Sequence, residues 1–134
     1  MAMHVFTYGS LMFPEVWTRV VRGACRSAPA RLDGFARFEI HGETYPGMVP
    51  MTGDSVSGVL YFDVADEDVA ALDAFEGEEY RRDTVNVVLE SGEALAAGAY
   101  VYLLPQKLSE SPWRPGAFRM ERFIETYCRD KLGE

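Results

Sequence analysis

A carboxylate stands where a helix turns its apolar face. The run from Asp66 to Gly77 reads as one amphipathic helix, and at about 100° per residue Ala65, Val69, Leu72 and Glu76 share a stripe with Phe75 beside it. Glu76 therefore points at the core. Gly77 ends the helix in the left-handed conformation, which places Glu76 in the last turn, where unpartnered carbonyls repel negative charge. Burial and helix dipole both disfavour the ionised form and raise the acid's pKa toward the range useful for taking and returning protons. The competing reading is a helix-end Glu that swings into solvent or pairs with Arg81 or Arg82 just beyond it.

A second candidate lies near the N-terminus. Met3 to Tyr8 has the β-branched and aromatic content of a strand, Gly9-Ser10 breaks it, and Pro14 suits the first position of a helix running to about Val21. At such a junction the N–H groups of Gly9, Ser10 and Leu11 need partners, and successive N–H groups can cradle a carboxylate or an oxyanion. Glycine lets a ligand approach the backbone closely. The spacing is not that of a phosphate loop, because it lacks both a second glycine with Lys-Ser/Thr and a G-x-G-x-x-G pattern. A lone Gly-Ser pair also fits a plain turn.

The elements that must position these residues follow from alternation and breakers. Ala30 to Ile40 reads as a strand broken at Gly34, Tyr45 to Pro50 as extended, and Ser57 to Val64 as a strand leading into the Glu76 helix. Thr84–Leu89 and Ala94–Leu104 form a hairpin around Glu90 to Glu93. Pro105 to Pro115 reads as a polar linker. Beyond it Phe118, Phe123, Tyr127 and Leu132 keep helical spacing, which predicts an amphipathic helix at about 116–131 that covers the sheet. Strands outnumber helices and are interspersed with them, an α+β pattern.

Several motifs in this order carry a resemblance. Tyr8-Gly9-Ser10-Leu11, Tyr45-Pro46-Gly47-Met48-Val49-Pro50, Val56 to Tyr61, Leu72-Asp73-Ala74-Phe75-Glu76-Gly77 and Tyr80-Arg81-Arg82 together resemble the gamma-glutamylcyclotransferase-like family over most of the chain. The likeness is to the branch first described as avirulence-induced proteins. It implies a small mixed β-barrel of about five to seven strands with flanking helices, in one domain spanning 1–134. It also implies a pocket joining the loop to the motif Glu, in which Tyr8, Gly9, Ser10 and Leu11 hold a γ-glutamyl head group and Glu76 is the catalytic acid/base. Tyr80 follows Glu76 within the matching motif and is a further pocket residue. No metal and no organic cofactor is implied. Met12 and Phe13 depart from the polar residues common in this loop, which bears on substrate preference rather than reaction type.

The implied chemistry is intramolecular. The α-amine of a γ-glutamyl amide attacks its own γ-carbonyl, closes to 5-oxoproline and releases a free amine. Orientation of such an attack supplies on the order of 7–11 kcal/mol, leaving the protein to hold the substrate and move protons.

Composition narrows the alternatives. A chain of 134 residues with 48% hydrophobic residues has the size and apolar content of one core. A net charge of −8, from 13 basic and 21 acidic residues, argues against nucleic acid, and an anionic substrate would need local attraction from the loop or from Arg82. Cys25 and Cys128 have no metal-ligand spacing and read as reduced thiols. Neither a signal peptide nor a membrane span is visible, which predicts a cytoplasmic protein, monomer or homodimer, acting on a small molecule. Two rivals stay open. One is a serine hydrolase built on Ser10, His41 and Asp33, which lacks the nucleophile elbow. The other is a non-catalytic module of the same fold that binds an amino-acid-like ligand.

Overall fold

The computed structural model describes residues 2–133. Strand β1 (Ala2–Thr7) ends at Tyr8-Gly9, and a helical turn (Ser10–Met12) leads into α1 (Pro14–Val20), where Pro14 takes the first turn. Two long strands, β2 (Ser27–Ile40) and β3 (Pro46–Ala65), form a hairpin. Helix α2 (Asp66–Glu76) follows β3 directly and carries Asp66, Glu67 and Asp68 in its first turn, where they complement the helix dipole. A second hairpin, β4 (Tyr80–Leu89) with β5 (Ala94–Tyr102), is followed by the short β6 (Leu108–Pro112). Met120–Phe123, a π-helical turn Ile124–Cys128 and Arg129–Leu132 run on as one C-terminal helix.

The strand pairing closes on itself. β3 pairs β1, β1 pairs β5 in parallel, β5 pairs β4, β4 pairs β2 and β2 returns to β3, with β6 added to the free side of β2. Successive residues of β1, β3 and β5 alternate between two cores. Phe6, Leu60, Ala99 and Val101 belong to one apolar cluster, with Met48, Val56 and Val87. Their neighbours Val5, Tyr61 and Tyr100 belong to the other, which α1, α2 and the C-terminal helix cover.

The structure differs from the sequence expectations in three places. The segments read as Tyr45–Pro50 and Ser57–Val64 are parts of one bent strand: between Asp33↔Ser55 and Phe35↔Pro50 the register shifts, and Gly34 and Gly53 absorb the bend at φ +85° and +91°. The linker contains β6, a polar strand held on the edge by Phe38↔Pro112 and Ile40↔Leu108. The C-terminal helix begins at Met120 rather than at about 116, because Pro115–Ala117 forms a tight turn of its own. Among the described residues no helix is long and apolar enough to cross a membrane.

Candidate active site

The loop after β1 is fixed from three sides. Arg37 donates to the Tyr8 carbonyl at 2.6 Å, the Tyr61 hydroxyl donates to the Leu11 carbonyl at 3.3 Å, and the Tyr8 hydroxyl donates to the Tyr100 carbonyl at 2.6 Å. Tyr61 is itself clamped by a parallel stack on Trp17 at 3.6 Å. The turn's own hydrogen bonds come from Met12, to the Gly9 carbonyl, and Phe13, to the Ser10 carbonyl. The N–H groups of Gly9, Ser10 and Leu11 take no part in those two bonds. Gly9 is closely packed as well: a Cβ there would lie 2.9 Å from the Pro46 ring.

Glu76 reaches the same place from α2. Val69, Leu72 and Phe75 are buried as the helical stripe requires, and Gly77 ends the helix at φ +81°. The two arginines that could have drawn Glu76 outward are engaged elsewhere. Arg81 pairs Asp83 at 2.8 Å and Arg82 pairs Asp73 at 2.9 Å, with the Tyr100 hydroxyl donating to Asp73 at 2.7 Å. The Arg82 ion pair therefore removes that residue as an attractor for substrate. Among the described residues no side chain pairs with the Glu76 carboxylate.

One cavity joins these parts. It is lined by Tyr8, Gly9, Ser10, Leu11, Glu76 and Tyr80, the residues nominated from the sequence, together with Phe6, Tyr45, Tyr100, Phe123 and Tyr127. About 20 Å³ of free space remains inside it, room for a water or two. A wider outer groove of about 760 Å³ shares Tyr45, Glu76, Tyr80 and Tyr127 with it, so Glu76 stands between the two. Burial raises the Glu76 acid, the Lys131 charge pulls it back, and the net result is a pKa of about 8. One turn earlier on α2, burial would raise the Asp73 acid, but the Arg82 and Tyr100 hydrogen bonds hold it below the usual range.

The tyrosines are positioned by main-chain acceptors. Tyr80 donates to the Pro46 carbonyl at 2.8 Å, and Tyr127 donates to the carbonyls of Phe75 and, at 3.3 Å, Glu76. Tyr127 thus holds the helix end that bears the carboxylate. Sequence reasoning placed Phe123 and Tyr127 only on an apolar helix face and did not find Lys131. The helical period identifies the face, but nothing local says which site it covers. Tyr102 lies outside the cavity and donates to Glu79 at 3.1 Å. No histidine lines the cavity around Ser10, and Asp33 is bound to Arg31 at 2.8 Å, so a serine triad is not assembled. Among the described residues no group of His, Cys, Asp and Glu is arranged to hold a metal ion, and both cysteines are free thiols.

Comparison with known proteins follows the same outline. The family profile described as "Gamma-glutamyl cyclotransferase, AIG2-like" matches residues 5–118, stopping short of the C-terminal helix. AIG2-like protein D of Arabidopsis thaliana is 41% identical over 103 residues, 75% of this chain and 68% of that protein. The solution structure of another Arabidopsis thaliana protein superposes with a TM-score of 0.73 at 31% identity, covering 98% of this chain and 91% of that one. A structure titled gamma-glutamyl cyclotransferase superposes at 0.70 with 19% identity, covering 98% and 81%, a likeness of fold alone.

Proposed function

Because this chain belongs to the gamma-glutamyl cyclotransferase, AIG2-like family, we propose that it is an acyltransferase that releases 5-oxoproline and a free amine from a γ-glutamyl amide, with Glu76 as general acid/base. One observation carries the reading: the Glu76 carboxyl, pushed up to about 8 by desolvation, lines the same cavity as the Tyr8–Leu11 loop. The substrate's α-amino group titrates near 8 or a little above, so a proton moves between it and Glu76 at little cost in either direction.

The proposed sequence of events uses these groups in turn. The γ-glutamyl head group lies on the loop, with Gly9, Ser10 and Leu11 supplying N–H donors and Tyr80 closing the wall. Glu76, ionised, accepts a proton from the α-ammonium. The freed amine attacks the γ-carbonyl carbon, forming the ring C–N bond, and the oxyanion that develops is met by the loop N–H groups. As the exocyclic C–N bond breaks, Glu76 gives its proton to the departing nitrogen and takes the second proton that the ring nitrogen sheds on becoming an amide; that proton passes to the released amine, which leaves as an ammonium and restores the carboxylate. One carboxyl serves both steps, and no covalent enzyme intermediate forms.

Entry requires the cavity to widen. The free space is too small for a γ-glutamyl group, and the stacked rings of Phe123 and Tyr127 line it, Tyr127 on the side shared with the outer groove. Substrate binding therefore shifts the C-terminal helix or turns those rings.

The test is 5-oxoproline release from glutathione, γ-glutamyl amino acids and γ-glutamyl-lysine by the wild type and by Glu76→Gln. The expected outcome is product that depends on Glu76, falling by at least about a hundredfold in the variant. Undiminished release by Glu76→Gln would remove the residue from the mechanism. Binding without release from any compound by the wild type would make the protein a binding module.

A further inference from the structure

We propose that Lys131 determines substrate specificity: its ammonium receives the carboxylate of an amino-acid leaving group, so that γ-glutamyl-α-amino acids are preferred over γ-glutamyl amides whose amine carries no acid. This rests on the cyclotransferase reading above, and it assigns a role to a residue beyond the family match at 5–118.

The outer groove shares Glu76 with the cavity and so offers the leaving group its way out, and the charges there sort into engaged and free. Asp73 is held by Arg82 and Tyr100, and Glu79 by Lys107 at 3.4 Å and by Tyr102. Glu78 is exposed at the rim. Lys131 is the basic residue lining the groove, and among the described residues it makes no ion pair. Its position is nonetheless defined. The ammonium lies 5.5 Å from the centre of the Tyr127 ring, and it passes so close to Gly77 that a Cβ there would come within 2.7 Å of Nζ. Gly77 adjoins Glu76, so the free cation stands beside the catalytic carboxyl on the leaving-group side.

The substrate chemistry matches that placement. In a γ-glutamyl-α-amino acid the carboxylate is borne by the carbon attached to the very nitrogen that Glu76 protonates. A cation next to Glu76 is within its reach. In an amide of a side-chain amine the carboxylate lies at the far end of a flexible chain, and in a simple alkylamide there is none. A protein of net charge −8 repels an anionic substrate at long range, so an ammonium at the mouth that makes no ion pair among the described residues supplies the local attraction that Arg82, tied to Asp73, does not.

The experiment uses γ-glutamyl-alanine and γ-glutamyl-ethylamide, which differ only by the carboxylate. KM from 5-oxoproline release and Kd from calorimetry are measured for the wild type, Lys131→Met and Lys131→Arg. Lys131→Met is expected to weaken the alanine compound relative to the ethylamide by about fivefold, the scale of one solvent-exposed ion pair, and Lys131→Arg to restore the ratio. Taking the ratio cancels any effect that acts through Glu76 on both compounds. An unchanged ratio in Lys131→Met overturns the assignment. If the wild type releases 5-oxoproline from neither compound, the cyclotransferase reading falls and the Kd ratio alone decides Lys131. A wild type that binds neither overturns both.

Discussion

Glu76 is unusual less for its partial burial than for having no ion-pair or hydrogen-bond partner among the described residues, since the neighbouring Arg81 and Arg82 and the phenols of Tyr8 and Tyr80 are already engaged. Its folded pKa of about 8 lies above the ordinary carboxylate value of 4.5. Between those limits the unfolded chain loses this proton while the folded chain keeps it, so this residue makes stability fall as pH rises through that window. One proton sets the slope at no more than about 1.4 kcal/mol per pH unit. Glu76→Gln removes the titration and should therefore gain on the wild type steadily from pH 5.5 to 8 in urea unfolding. Parallel stability curves for the two proteins would mean that the acid is not buried in solution. With Glu76 as the proposed base, activity takes the opposite sign: kcat/KM should climb to a plateau with an apparent pKa near 8. The phenols of Tyr8, Tyr80 and Tyr127 do not confuse that limb, since burial first and the nearby negative charges second push all three up.

At the scale of elements, the site depends on a helix end and the phenol that holds it. Tyr127→Phe keeps the ring that fills the cavity wall but deletes the bonds to the Phe75 and Glu76 carbonyls. A loss of about 1–2 kcal/mol is expected, visible as a lower Tm, together with a several-fold drop in kcat as the carboxyl loses its fixed approach. An unchanged kcat beside a lowered Tm would reduce Tyr127 to a stabilising contact. The two elements that carry the nominated residues were legible because their signals are local. The proline of α1, the Gly77 that stops α2 and the apolar stripe between them are all read within a dozen residues. β6 was not, because Leu108–Pro112 is exposed, polar and paired on one side only, which leaves no alternation to see. Lys131 was hidden for a different reason: its role comes from a residue of α2 across the fold, and helical spacing carries no information about the far partner. The same limit applies to Asp68, which is buried and accepts from the N–H groups of Arg22 at 3.0 Å and Gly23 at 3.1 Å, across the fold from α2.

For the whole molecule, the closed strand ring fixes the distance between the two halves of the site. β1 pairs β3 from Ala2↔Ala65 at one end to Thr7↔Val59 at the other. The loop leaves from the Thr7 end, whereas α2 starts after Ala65, at the opposite end. α2 must then run back along β1, and its 11 residues cover about 16 Å, against about 20 Å for the six residues of β1. The helix thus covers most of that length, and its last residue, Glu76, lines the cavity with Tyr8. Both halves are built on one well-paired ladder, while the ring is closed by thinner pairings: Ala30↔Leu89 and Arg31↔Val88 between β2 and β4, and Val5↔Gly98 between β1 and β5. Local opening should begin where pairing is thinnest. Native-state hydrogen exchange in mild denaturant should therefore show the β1–β3 amides, at Phe6, Leu60 and Tyr61, exchanging only with global unfolding, while the β2–β4 edge exchanges at lower free energy. Exchange of β1 as early as that edge would mean that the ladder beneath the site is itself a weak element, and Glu76 could not keep its geometry or its raised pKa while the ring breathes.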